Sequence, residues 1–294
     1  MIKKKNFMPY IFMLPSLILI GFIYVGPIIF TLFLSTTDWT GIGTNFNFIG
    51  FKNFIEIFTL KDLLKPLSNT FIFAIVALIF QNLIALILAI FINDNFKGRN
   101  FFRTVYFMPT IITTAAIGWV WRLIYNPFVG PINYFAKSFN IGWLSNIRWL
   151  ADSRIVLYSI ILVNVWEWFG WNMIIYLAGL QAIPQELYEV SSIDGASFFA
   201  KFKYITIPLL MPAITINIIM TTIGGLRIFD LPYIMTAGGP GHSSETFVMT
   251  IIRYTFGGNR VGFGGALSII LIILILAISI IQNRLLTRVE MGAE

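Results

Sequence analysis

The chain has 294 residues, of which 57% are hydrophobic and 11% are charged, and it contains no Cys. A soluble domain carries about 25% charged residues, so the composition excludes a soluble enzyme and a nucleic-acid-binding module. The net charge of +7 suits a membrane protein, because Lys and Arg concentrate in cytoplasmic loops. Without Cys, and with His242 as its single histidine, the chain is expected to hold no metal and no cofactor.

Six apolar stretches dominate the sequence, and each is long enough to cross a hydrocarbon core of about 30 Å as a helix. They do not alternate apolar and polar residues, as the strands of a membrane barrel would. We therefore expect an all-α integral membrane protein with a single transmembrane domain covering 1–294. Its six transmembrane helices are predicted at 10–34, 70–92, 104–125, 155–177, 208–226 and 264–282.

Basic residues indicate the orientation of these helices in the cell membrane. Lys3-Lys4-Lys5 precede the first stretch, which is too long for a signal peptide and lacks a cleavage site. We expect it to be retained with the N-terminus in the cytoplasm, so that six crossings also return the C-terminus there. Inside segments would then carry ten Lys or Arg and outside loops nine. The inside segments are shorter, and the positive-inside rule gives charges in short loops the greater weight.

Segment 182–207, between the fourth and fifth stretches, predicts two short amphipathic helices joined by a turn. Pro184 suits the first turn of a helix, and Leu187, Val190 and Ile193 form an apolar stripe. Gly195 is placed to end this helix in a left-handed conformation. Amphipathic helices alone leave open a segment that lies at the membrane interface with no protein partner.

The same segment resembles the cytoplasmic "EAA" loop of ABC-importer permease subunits. Val190 and Ser191 replace the two alanines of the family pattern, and the matching residues are Glu189, Asp194, Gly195, Ala196, Phe202, Ile205 and Pro208. The resemblance implies a coupling helix that docks into a cleft of a separate ATPase subunit. The residues that it assigns to ATPase coupling are Glu189, Asp194, Gly195, Ala196 and Pro208.

A second segment indicates which group of importer permeases the chain resembles. Thr236-Ala237-Gly238-Gly239-Pro240 looks like the Thr-x-Gly-Gly-Pro segment of sugar permeases, and Gly262-x-Gly-Gly-Ala continues the pattern ahead of the sixth stretch. On the basis of this segment and the loop, the chain resembles the maltose/glycerol-3-phosphate-type carbohydrate permeases over essentially its whole length. The resemblance implies a type I ABC importer permease fold and a sugar substrate. The implied partners are a second homologous permease subunit, two ATP-binding-cassette ATPase subunits and an extracellular solute-binding protein.

One face of the predicted fourth helix carries Asn164, Glu167, Trp168 and Trp171, at positions i, i+3, i+4 and i+7. A carboxylate that met lipid would be costly, so Glu167 is expected to face a cavity or the protein interior. Indole rings beside an amide and a carboxylate suit a sugar. The alternative for Trp171, and for the neighbouring Trp166, is an aromatic belt at the membrane interface.

The resemblance adds candidates on the next helix. In the resembled maltose permease, the corresponding faces of these two helices contact the sugar. Carried over by ungapped alignment, the implied substrate path comprises Asn164, Glu167, Trp168 and Trp171 together with Gly225 and Ile228. The last two residues replace polar residues of that permease, which implies a different substrate or a wider pocket.

Three functional classes differ in the residues that each requires. The chain has no Gly-x-x-x-x-Gly-Lys-[Ser/Thr], so it cannot hold ATP phosphates itself, has no catalytic residues and depends on partner ATPases. A stand-alone secondary carrier needs intramembrane ionisable residues for ion coupling. Glu167 alone gives that class little support. Neither His-Glu-x-x-His nor Gly-x-Ser-x-Gly occurs, which argues against an intramembrane enzyme. We expect an importer permease for a carbohydrate, with a glycerol-phosphate permease of the same family as the alternative.

Overall fold

The computed structural model describes residues 8–291, and the regular secondary structure of that range is helical. A single antiparallel bridge joins Thr37 and Phe48. The prediction of an all-α fold is therefore confirmed for the described residues. Lys3-Lys4-Lys5, on which the predicted orientation partly depends, lie outside them.

The helices follow one another closely along the chain. Short π-helical turns at Gly21–Val25, Phe202–Thr206 and Arg253–Gly257 and a 3-10 turn at Lys61–Leu63 connect some of them. The α-helices of the described range are α1 (Met8–Ile20), α2 (Gly26–Ser35), α3 (Lys52–Thr59), α4 (Leu64–Asn93), α5 (Arg99–Ile111), α6 (Thr114–Ile124), α7 (Pro131–Ser138), α8 (Gly142–Ser145), α9 (Val156–Gln181), α10 (Gln185–Ile193), α11 (Phe198–Lys201), α12 (Ile207–Leu226), α13 (Asp230–Thr236), α14 (Phe247–Ile252) and α15 (Val261–Met291).

Five helical segments of the described chain are long and apolar enough to cross a membrane, and α5 with α6 make a sixth if that bent pair is one span. The apolar character of these segments reflects the six stretches seen in the sequence. The five are Phe12–Ser35, Lys61–Asn93, Val156–Gln181, Phe198–Leu226 and Val261–Arg288.

The third apolar stretch, expected as one helix over 104–125, is broken. α5 and α6 meet at 97°, because Ile112 and Thr113 between them have extended backbone with ψ of 139° and 136°. The Thr113 hydroxyl caps α6 by accepting a hydrogen bond from the backbone N–H of Ala116 at 3.4 Å. Pro109 has no N–H to donate in the last turn of α5. Hydropathy does not reveal such a break, because only two residues leave the helical conformation.

The described chain divides into two compact units. One comprises the chain up to Lys61 together with Ile251–Ile273, and the other comprises Asp62–Thr250 together with the residues from Leu274 onward. In the first unit, the Asn53 side chain donates to the carbonyl oxygens of Ser35 at 2.9 Å and Thr37 at 2.8 Å. No linker marks the boundaries in the sequence, and the single domain expected there covers both units.

Small residues set the helix spacing in the second unit. At Gly225 of α12, an added Cβ would lie 2.6 Å from the Cα of Ala74 in α4, and at Gly170 of α9 it would lie 2.0 Å from the carbonyl oxygen of Tyr106 in α5. Gly179 of α9 leaves similar room for α12. Glycine at these positions lets the backbones approach closely, as is typical of membrane helices. α9 thus packs against α5 and α12, and α12 against α4.

Candidate functional site

A cavity of about 530 Å³ lies within the second unit, between residues of α4, α6, α9, α12 and the start of α13. This volume is in the range that small-molecule sites occupy. Its lining combines polar groups with broad apolar surface. The polar and charged lining residues are Gln81, Thr114, Asn164, Asn172, Thr221, Arg227 and Asp230, and the larger apolar ones are Trp168, Trp171, Ile175, Ile216, Met220, Ile228 and Phe229.

The structure brings five of the six sequence-predicted substrate-path residues to this cavity. Asn164, Trp168 and Trp171 reach it from α9, Gly225 reaches it from the last turn of α12, and Ile228 lies just after that helix. The two indoles are partly exposed there, at 38% for Trp168 and 46% for Trp171. Gly225 also has a packing role, because its missing side chain admits Ala74.

Glu167 is the exception, since it lies behind the cavity wall rather than in it. Its side chain is buried, and Oε1 accepts a hydrogen bond of 2.6 Å from the Thr114 hydroxyl. Its carbonyl oxygen accepts another, of 3.0 Å, from the Thr110 hydroxyl, and its Oε2 has no hydrogen-bond partner. Thr110 belongs to α5 and Thr114 to α6. Glu167 therefore binds both halves of the broken helix pair and lies in the protein interior, which is one of the two positions expected for it, rather than on the predicted substrate path.

The polar side of the cavity is held by hydrogen bonds between helices. Gln81 Nε2 donates to Asn164 Oδ1 at 2.9 Å, and Asn172 Nδ2 donates to Thr221 Oγ1 at 3.0 Å. Asn217 Nδ2 donates to the carbonyl oxygen of Asn172 at 3.1 Å. Buried polar groups keep a defined geometry when such partners are present. The wall therefore presents positioned amides and hydroxyls to a ligand.

Several lining residues were not singled out in the sequence. Thr114, Asn172 and Thr221 are polar residues in apolar stretches, which is the signal that could have revealed them, because such residues are costly unless they face protein or a cavity. Arg227 and Asp230 follow the fifth stretch directly and carry opposite charges. They are the charged lining residues found in the described chain, so the lining carries no net charge.

The segment with the "EAA" resemblance forms the predicted helix, turn and second helix. α10 begins after Pro184, and Gly195 follows its end with φ of +78°, which confirms the predicted left-handed turn. Ser197 then caps α11 by accepting a hydrogen bond from the backbone N–H of Ala200 at 3.3 Å. Of the residues that the resemblance assigns to coupling, some are exposed and others half-buried: exposed are Glu189, Asp194 and Gly195, and half-buried are Ala196 and Pro208.

The segment α10–α11 is held against the membrane-spanning helices by a hydrogen bond and by packing. The hydroxyls of Tyr188 and Thr206 are hydrogen-bonded at 3.0 Å, and Tyr188 packs against the buried cluster of α4, α9 and α12. Its outward surface stays apolar, since Ile193 is 86% and Phe199 79% exposed. A packed segment with an exposed apolar surface and an acidic residue beside it has the features of a protein-docking element.

A ligand-sized cavity among apolar helices, together with a segment suited to docking, fits a membrane transport subunit. The comparisons agree with this class. Residues 81–291 match the family model described as "Binding-protein-dependent transport system inner membrane component". The chain belongs to this family of multi-pass membrane permeases.

Two relatives and one solved structure illustrate the similarity. The chain is 32% identical to "Probable ABC transporter permease protein YurN" of Bacillus subtilis, covering 97% of each chain. It is also 32% identical to "Trehalose/maltose transport system permease protein MalF" of Thermococcus litoralis, covering 92% of this chain and 91% of that one. A crystal structure of a bacterial alginate ABC transporter, in complex with an alginate pentasaccharide-bound periplasmic protein, contains a chain with the same fold. That chain has a TM-score of 0.84 at 22% identity, with coverage of 98% and 96%.

Proposed function

We propose that the chain is the transmembrane permease subunit of an ATP-binding-cassette importer that translocates a carbohydrate delivered by an extracellular solute-binding protein. The cavity beside Trp168 and Trp171 is the observation that carries this proposal. Indole faces accept the apolar C–H surface of a sugar, while amides such as Asn164 and Asn172 pair with its hydroxyls. A site that combines aromatic surface with a few positioned polar groups is typical of small-ligand recognition.

An uncharged sugar fits the lining better than glycerol phosphate, the second candidate. A phosphate group requires cationic partners and binds Arg well. Arg227 is therefore the lining residue that favours glycerol phosphate. Asp230 in the same lining offsets the positive charge of Arg227. Glu167, which lies buried behind the wall, is acidic and does not help to bind a phosphate. We therefore place a neutral carbohydrate first.

The partners follow from the resemblance and the exposed segment α10–α11. A second homologous permease subunit completes the translocation path, and two ATPase subunits bind the docking segments of the two permeases. Both termini and the docking segment lie in the cytoplasm, because the ATPases do. The residues proposed to couple are Glu189, Asp194, Gly195, Ala196 and Pro208.

Reconstitution tests the proposed function. In proteoliposomes holding this chain, the second permease and both ATPases, we expect sugar uptake only when ATP and the solute-binding protein are both supplied. The chain purified alone should hydrolyse no ATP, because its sequence has no phosphate-binding loop. Uptake by the chain without ATPases, driven by an ion gradient, would instead establish a secondary carrier.

Trp171→Ala tests the cavity as the translocation path. Removing this indole takes away stacking surface, and a largely apolar wall discriminates by about 1–3 kcal/mol, so we expect a general fall in uptake across a panel of sugars. The matched control is Trp119→Ala, because Trp119 of α6 is 60% exposed and does not line the cavity. Equal uptake by the two variants at equal ATPase assembly would remove Trp171 from the path.

A further inference from the structure

The connection between α6 and α9 exposes an aromatic surface that the proposed function does not use. Its residues are 59% to 88% exposed, and we define the aromatic surface by Phe128, Tyr134, Phe135, Phe139 and Trp143. Residues 127–147 contain one charged side chain, that of Lys137, and no carboxylate. Exposed aromatic residues this close together along the chain, with one charge among them, make a candidate interaction surface.

The aromatic surface rests on a folded scaffold. Beneath it the buried Asn133 side chain donates to the carbonyl oxygens of Ser145 at 3.1 Å and Ile147 at 3.2 Å. Trp149 Nε1 donates to Asn133 Oδ1 at 3.0 Å, and its ring stacks on Tyr125 with centroids 5.2 Å apart. These contacts tie α7 and α8 to the residue that ends α6. The aromatic residues therefore belong to a folded segment whose helices are held together by side-chain hydrogen bonds.

Two features favour lipid as the occupant of this surface. The connection follows α6 directly along the chain, and the side chains Trp119, Val120 and Leu123 of that helix, which belongs to a candidate membrane span, are exposed as well. Tyr and Trp, which combine an apolar ring with a polar group, are enriched where hydrocarbon meets lipid headgroups.

We propose that the aromatic surface inserts into the headgroup region of the bilayer, so that α7 and α8 form a membrane-surface anchor attached to the end of α6. This goes beyond the proposed function, since it assigns a lipid-binding role to a connection between spans. Because Trp149 and Tyr125 join the anchor to α6, the anchor also fixes the depth of the second half of the broken helix pair.

Site-directed fluorescence quenching tests the anchor, and the absence of Cys in this chain means that an introduced thiol is its single labelling site. Phe135→Cys and Phe139→Cys are labelled with bimane in the assembled transporter, built with Cys-free partner subunits in phosphatidylcholine nanodiscs. Ser153→Cys, at an exposed polar position of the same connection, is the matched control. Quenching by nitroxide-bearing lipid is compared with quenching by aqueous iodide. We expect a lipid-to-iodide quenching ratio at positions 135 and 139 at least about threefold above that at 153.

Other results overturn the proposal and identify the true occupant. Strong iodide quenching at 135 and 139 that disappears on addition of the solute-binding protein assigns the surface to that protein. Weak quenching by both lipid and iodide assigns it to another subunit of the transporter. Strong iodide quenching under all conditions leaves it in water. Trp143→Cys, a third position on the same surface, replaces any variant that fails to assemble.

Discussion

Gly195→Val is expected to abolish sugar uptake while leaving the protein inserted in the membrane. Gly195 has φ of +78°, and a β-branched residue in this left-handed conformation is strained by about 1–2 kcal/mol. No heavy atom lies within 4 Å of a Cβ built at Gly195, so the substitution acts on the backbone turn rather than by collision. The turn sets the direction of α11 relative to α10, and hence the shape of the proposed docking segment. ATPase co-purification and ATP-driven uptake measure the effect.

Gly195→Asn is the matched control for this turn. Asn tolerates the left-handed region better than other non-glycine residues, so uptake by this variant should remain close to that of the unmodified chain. Glu189→Lys reverses an exposed charge on α10 without changing the turn, and we expect it to reduce ATPase binding as well. Normal uptake by the Val variant with the ATPase still bound would contradict the assignment of this segment to coupling.

Gly170→Ala is expected to destabilise the protein most directly at the broken helix pair. An added Cβ would lie 2.0 Å from the carbonyl oxygen of Tyr106 and 3.0 Å from the Cα of Phe107, so α5 must move away from α9. Overpacking of this kind costs about 1–3 kcal/mol. The displacement also disturbs the hydrogen bonds from Thr110 and Thr114 to Glu167. We expect a lower thermal unfolding midpoint and less assembled transporter.

Gly224→Ala provides the control for a helical glycine without this contact. No heavy atom lies within 4 Å of a Cβ at Gly224, and replacing glycine by alanine inside a helix stabilises it by roughly 0.5–1 kcal/mol. The unfolding midpoint of this variant should therefore stay level or rise. If Gly170→Ala unfolds at the same temperature as the unmodified chain, the close approach of α5 and α9 does not hold in solution.

The elements that the sequence predicted well depend on local physics. Apolar stretches long enough for a bilayer are visible in composition alone, because hydrocarbon thickness fixes the required helix length. The turn after α10 was predictable too, since Pro184 and Gly195 act on their own backbone dihedrals. The same local character explains why α9 could be assigned a polar face from Asn164, Trp168 and Trp171.

Other features depend on partners far apart in the chain, and only the tertiary structure decided them. Glu167 shares a helix face with three cavity residues, yet its side chain meets Thr114, which lies 53 residues earlier, and so leaves the cavity wall. The break between α5 and α6 follows from backbone caps and that contact, to which hydropathy is insensitive. Gly225 lines the cavity because α12 and α4 approach closely there. Helical periodicity determines which residues share a face, but the neighbouring helices determine whether that face meets a cavity, lipid or protein.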